Sequence, residues 1–282
     1  MSAPDSALAS RGARPHVVRG LLVGLAIAYV GLLLLAPVAG IVWTVIDSGV
    51  QKIFDTLGDT AVHHAFWLTF VITLITIAVT SVFGVITAWV LTRDNFPGRN
   101  WAGAIVDLPL ATSPVIVGLM AVLLFGRGGW FEPFFAARGI QIIFALPSMI
   151  LVTIFICIPF VIREVAPVLQ ELGTDEEEAS LTLGASSLQT FFKVTLPNIR
   201  WGLLYGVALS TARSLGEIGA VLIVSGALRG VTETATLYIL LALEERQTAE
   251  GYVVAIVLAV ISVSILLTIE FFKRSHEKER AR

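Results

Sequence analysis

Glu171-Leu-Gly-Thr-Asp-Glu-Glu-Glu-Ala-Ser-Leu-Thr-Leu-Gly184, running on through Phe191-Phe-Lys-Val-Thr-Leu-Pro197, is a polar interval in a chain that otherwise moves from one apolar segment to the next. Its local chemistry predicts a short helical hairpin. Thr174 followed by Glu177 has the form of a capping box, and Asp175 to Glu178 place negative charge where a helix dipole favours it. Gly184 suits the left-handed residue that ends such a helix. Ser187 is placed to cap a second helix, which Pro197 is expected to halt. Leu181, Leu183, Phe191 and Phe192 leave apolar side chains on a piece too short to build its own core. The hairpin therefore needs another protein to dock on.

The surrounding composition is that of a membrane protein. The 282 residues are 56% hydrophobic and 14% charged, with a mean hydropathy of +0.86. Soluble domains carry about a quarter charged residues. Apolar runs at 21–46, 64–91, 101–125, 146–168, 201–225 and 251–272 are long enough to cross a bilayer as helices. The expected fold is all-α and polytopic, with six transmembrane helices over 20–272. A cytoplasmic tail is expected at 1–19, a charged tail at 273–282, and polar loops at 47–62 and 226–250. The first run is too long for a signal-peptide core, and Pro37-Val-Ala39 is a poor cleavage site, so it reads as an uncleaved anchor.

Basic residues orient the chain. Thirteen (Arg11, Arg14, Arg19, Arg93, Arg99, Arg163, Lys193, Arg200, Lys273, Arg274, Lys278, Arg280 and Arg282) flank one side and five (Lys52, Arg127, Arg138, Arg229 and Arg246) the other. The positive-inside rule then predicts both termini, and the hairpin at 171–197, in the cytoplasm.

Catalytic signatures are missing. There is no G-x-x-x-x-G-K-[ST] loop, no G-x-S-x-G elbow and no H-E-x-x-H helix, and His16, His63, His64 and His276 form no ligand set. Cys157 is the only cysteine, so no intrachain disulfide or thiolate metal site is available. No catalytic and no metal-binding residue is expected.

The polar residues of the spans are the remaining candidates. Arg213 and Glu217, four residues apart, share a face of the predicted fifth helix. An ionised group at mid-membrane costs about 3 kcal/mol or more unless paired or hydrated. Arg213 either lines an anion path with Glu217 positioning it, or the two form a structural strut; the sequence leaves both readings open. Ala212, Gly216 and Ala220 form a small-residue stripe that would admit a neighbouring helix. Thr112 and Ser113, with Asp107, Pro109 and Pro114, break the third span and make a second gate candidate, where a helix N-terminus could meet an oxyanion.

Glu178-Ala179-Ser180, then Gly184, then Val194-x-Leu196-Pro197 resembles the EAA pattern of ABC importer permeases, with Ser180 for Ala and Val194 for Ile. Leu91-Thr-Arg-Asp-Asn-Phe-Pro-Gly-Arg99, Asp107-Leu-Pro109, Ser113-Pro-Val115 and Ala212-Arg-Ser-Leu-Gly-Glu-Ile-Gly-Ala220 are similar to segments of the sulfate/thiosulfate permeases, nearer to the CysW type of subunit. The likeness covers about 20–272 and implies a type I importer permease fold in a bacterial inner membrane. It implies a paralogous permease partner, two cytoplasmic ABC ATPase subunits that use ATP and Mg, and a periplasmic sulfate-binding protein. No cofactor is expected on this chain, and no nucleic acid as a partner. The resemblance makes Glu178, Ala179, Leu181, Gly184, Phe191, Leu196 and Pro197 the ATPase-coupling residues. The charge of Glu176 to Glu178 suggests a basic rim on the ATPase cleft. Molybdate and tungstate permeases share the Ala212–Ala220 segment and remain the alternative. A stand-alone secondary transporter is the reading from another class, but it should show inverted repeats and a charge relay over several spans.

Overall fold

The computed structural model describes residues 14–280, with side-chain surroundings from 19 to 271. Lipid cannot satisfy backbone polar groups, so apolar runs of this length are stable as helices, which bond internally. All regular elements among the described residues are helical. Four helices are long and apolar enough to span alone: α1 (Arg14–Asp47), α3 (Thr60–Arg93), α7 (Leu146–Leu172) and α13 (Thr248–Arg280). Two bent pairs, α4 (Arg99–Ala111) with α5 (Pro114–Phe125) and α10 (Leu196–Leu215) with α11 (Gly219–Ser225), bring the total to six if each pair counts as one span. Shorter helices are α2 (Val50–Gly58), α6 (Glu132–Ala136), α8 (Asp175–Thr182), α9 (Ser187–Thr190) and α12 (Ala235–Glu244).

Several expected boundaries are corrected. Helix α1 already runs at Arg14, so the tail expected at 1–19 is helical over its last residues. The rest of that tail, 1–13, lies outside the described residues, as do 281–282. The predicted loop at 47–62 contains α2, because Val50, Ile53, Phe54 and Leu57 fall at helical spacing among its polar residues. The predicted loop at 226–250 contains α12, started by Thr234, whose Oγ1 accepts the N–H of Leu237 at 3.5 Å. The sixth helix continues to Arg280 through Glu, Lys and Arg, all good helix formers.

The third span breaks more sharply than a kink. Pro114 disfavours a helical conformation at Ser113, which sits at φ −65°, ψ 137°, and α4 and α5 meet at 112°. Pro109 is accommodated inside α4 and does not break it. The fifth span bends by 54° between Leu215 and Gly219.

Helix α7 forms the centre, packed against α3 and α10. The approach is close because both neighbours present glycine to Val161. A Cβ on Gly84 would stand 2.7 Å from Val161 Cγ1, and one on Gly206 2.8 Å from Val161 Cα. Hydroxyls reinforce the packing where lipid offers no hydrophobic drive. Ser214 on α10 bonds Thr73 on α3 at 3.0 Å, and Thr69 Oγ1 accepts the N–H of Ala235, which starts α12, at 2.9 Å. Helix α1 differs from the rest. It packs mainly on α13 and is otherwise exposed along its apolar length.

Candidate functional site

The hairpin forms at 175–197 with different chemistry from the expected capping. Thr174 makes no cap bond; its hydroxyl donates to Glu178 Oε1 at 2.7 Å. Glu177, the expected box partner, is drawn away by Arg93 and Thr195. Helix α8 ends as expected at Gly184, whose φ of +89° is a left-handed conformation that suits glycine. Ser186, one residue before the expected cap, starts α9 with a complete capping box: its Oγ accepts Gln189 N–H at 3.3 Å, and Gln189 Oε1 accepts Ser186 N–H at 2.9 Å. Ser180, the departure from alanine in the motif, bonds Thr190 at 3.0 Å and so ties α8 to α9.

Pro197 does not halt the second helix. Residues Phe191–Thr195 form a π turn in which Leu196 N–H reaches back to Phe191 C=O. The wider turn relieves the clash that Pro197 would make with an α-helical carbonyl four residues earlier. The backbone is therefore one continuous helix from Ser187 to Leu215.

The expected coupling residues separate into two groups. Glu178, Ala179, Leu181 and Gly184 are exposed. Phe191 and Leu196 instead pack on Val165, Leu169 and Ile199 and support the hairpin from within, while Pro197 is exposed beside them. The free apolar surface is a ridge of Leu181, Leu183, Leu188 and Phe192, with Leu183 88% exposed. Leu188 escaped the sequence reading, although it repeats the apolar spacing of Phe191 and Phe192. The acidic run is used inside the chain: Glu176 accepts from Asn198 Nδ2 at 2.6 Å, Glu177 meets Arg93 and Glu178 meets Thr174. Arg93 counted in the sequence towards orientation and within the Leu91–Arg99 segment, not as a partner of the hairpin; its position at the hairpin end of α3 was the available signal.

At the far end of the continuous helix, Arg213 Nη1 lies 2.7 Å from Glu217 Oε2. The two do not share a helix face as expected. Arg213 is in the last turn of α10, and Glu217 stands in the break after Gly216. The break gives Glu217 a second role, because its Oε1 accepts the N–H of Ala220 at 2.8 Å and fixes the start of α11. Its own carbonyl accepts from Thr236 of α12 at 2.8 Å. Glu217 is buried, whereas the Arg213 side chain is 29% exposed.

The two broken spans meet here. A Cβ on Gly219 would stand 3.0 Å from Pro114 Cβ, so the start of α5 abuts the start of α11. Thr112 and Ser113, which precede Pro114, are thus on the side of the third-span break that faces the start of α11. Thr112 bonds its own helix at Leu108 C=O, and Ser113 is exposed with no capping bond. Asp107 is not part of the junction; it pairs with Arg163 of α7 at 2.9 Å. The small-residue stripe is interrupted by the bend. Helix α5 approaches Ala220 through Gly118, where a Cβ would meet Ala220 C=O at 2.9 Å.

A second polar cluster lies at the opposite end of α3. Arg229 pairs with Asp59 at 3.0 Å beside Glu233, a buried carboxyl with one oxygen unpartnered. Burial raises the pKa of Glu233 above its ordinary value of 4.5; Arg229 opposes the shift, and Glu245 and Asp59 add to it.

Comparison with known proteins agrees with this architecture. Residues 80–280 match the family described as binding-protein-dependent transport system inner membrane component. The chain is 46% identical over 257 residues to the sulfate transport system permease protein CysW of Synechocystis sp., covering 91% of this chain and 93% of the relative. It is 36% identical over 263 residues to the CysT protein of Salmonella typhimurium, covering 93% and 94%. The fold superposes on a bacterial alginate ABC transporter, crystallised with its alginate-bound periplasmic protein, with a TM-score of 0.78 at 17% identity over 93% of this chain and 95% of that one. The chain belongs to the binding-protein-dependent transport system inner membrane components, the permease subunits of ABC importers, and is a multi-pass membrane protein.

Proposed function

We propose that this chain is the permease subunit of an ATP-driven importer of sulfate or thiosulfate. The observation that carries the reading is the exposed apolar ridge on α8 to Phe192, joined by one unbroken helix to the Arg213 junction. An ATPase subunit seated on the ridge moves the hairpin, and the helix delivers that motion to the junction. There Arg213 presents its donors to a passing oxyanion, with Thr112 and Ser113 of the neighbouring break alongside. ATP and Mg act on the partner ATPase, and this chain brings no cofactor of its own. The charge count supports a hairpin and termini on the cytoplasmic side of a bacterial inner membrane. Relatives named CysW and CysT support pairing with a paralogous permease, and a periplasmic binding protein delivers the anion.

The test is reconstitution with candidate ATPase, partner permease and binding proteins, measuring ATP hydrolysis with sulfate, thiosulfate, molybdate and tungstate. Sulfate or thiosulfate is expected to stimulate hydrolysis. Stimulation by molybdate or tungstate alone transfers the cargo assignment to those anions, and stimulation by none of the four sinks the oxyanion reading.

A further inference from the structure

Arg93 closes α3 at the hairpin end, and its guanidinium contacts two parts of the hairpin region. Its Nη2 donates to Gly173 C=O at 2.6 Å, the residue that ends α7. Its Nε lies 3.1 Å from Glu177 Oε2, and Nη2 reaches Glu177 Oε1 at 3.4 Å. Glu177 in turn accepts the hydroxyl of Thr195 at 2.7 Å, inside the π turn. Both charged side chains are largely covered, at 12% and 15% exposed, and Thr195 is buried. An exposed ion pair holds little, whereas a covered pair is costly to break from one side.

The geometry points to Arg93 and Glu177 as positioning residues that clasp the hairpin to α3. The inference rests on the docking role proposed for the hairpin. Without the clasp, α8 is held by the chain at Gly173 and by the Ser180–Thr190 and Glu176–Asn198 bonds, none of which reaches α3, and it can tilt under load. With it, a displacement of α8 must pull on α3 and on the end of α7 together. Thr195 extends the clasp to the turn that starts α10, so one carboxylate links the hairpin to two of the central helices. Neither Arg93 nor Glu177 lies on the exposed ridge, so the role is distinct from contact with the ATPase.

The test uses the reconstituted transporter and reads anions imported per ATP hydrolysed. Arg93→Met is expected to lower that ratio clearly below the wild-type value, while ATPase subunits still co-purify with the complex. The exchange R93E/E177R restores the opposite charges and the Thr195 contact but sets a carboxylate against Gly173 C=O, so the ratio should recover only in part. A merely structural role predicts loss of assembly with no change in the ratio of the protein that assembles. If Arg93→Met does not assemble, Thr195→Val removes one hydroxyl contact and leaves the ion pair, and its ratio must fall as well. A wild-type ratio in Arg93→Met or, where that does not assemble, in Thr195→Val overturns the clasp. The docking reading is tested separately by L183D/L188D, which should release the ATPase subunits. Loss of docking there with a normal ratio in the clasp variants sinks the clasp alone; retained docking and transport there sinks the docking role itself.

Discussion

Arg213 and Glu217 show how much one residue can be asked to do. The spacing of four was enough to pair them from the sequence, but the break between them was not legible. Gly216 signals it only weakly, and tertiary contacts with Pro114 and Thr236 decide it. Glu217 both neutralises Arg213 and starts α11. Replacing Arg213 alone would leave a buried carboxylate without its partner, at a cost of roughly 3–5 kcal/mol, which would confuse transport with folding. The double variant R213M/E217Q removes both charges and keeps an acceptor for Ala220. It should assemble and hydrolyse ATP at the basal rate, with uptake reduced by about tenfold or more, equivalent to ~1.4 kcal/mol of barrier. Normal uptake in the assembled double variant would make the pair a strut and remove Arg213 from the path. Gly184 offers a second residue-scale check. No atom lies within 4 Å of its missing Cβ, so only its φ of +89° resists substitution. Asn, which tolerates left-handed backbone, should preserve coupling, whereas Val should cost about 1–2 kcal/mol of hairpin stability and lower uptake. Equal uptake in the two variants would contradict the conformational argument.

Among elements, legibility followed periodicity. The long apolar helices and the proline break at Ser113 could be read from the chain, because length and proline chemistry act locally. The helices α2 and α12 were hidden by their polar flanks, and the π turn was hidden because a proline normally ends a helix. The run from 171 to 197 was placed correctly as a hairpin, but the partners of its acidic residues lie on α3 and in the π turn, beyond the reach of local sequence. The connection between α11 and α12 carries its own test. Glu233 has a raised pKa, so between pH 4.5 and that value the folded protein holds more protons than the unfolded one. Its contribution to stability is complete below pH 4.5 and is lost as the pH rises through the raised value. Glu233→Gln mimics the neutral form, and thermal unfolding of the detergent-purified transporter should show higher stability at neutral pH and a flatter acid-side profile. An unchanged profile would mean that Glu233 is solvated in the assembled protein.

The whole molecule is incomplete by design of its surfaces. Much of its apolar area faces outward, α1 most of all, and the ridge at the hairpin is uncovered. Lipid accounts for the first, and the proposed ATPase contact for the second. The transport class was readable from the chain because the hairpin has a fixed motif and no nucleotide loop accompanies it. How the hairpin connects to the Arg213–Glu217 break was not readable, since the expected stop at Pro197 would have separated them. The unbroken run from Ser187 to Leu215 turns that separation into a lever arm. At 1.5 Å per residue it is about 42 Å long, so a tilt of about 5° moves one end by roughly 3.5 Å relative to the other. Under the proposed function, a small movement at the hairpin is thereby carried to the Arg213–Glu217 break at the other end of the helix.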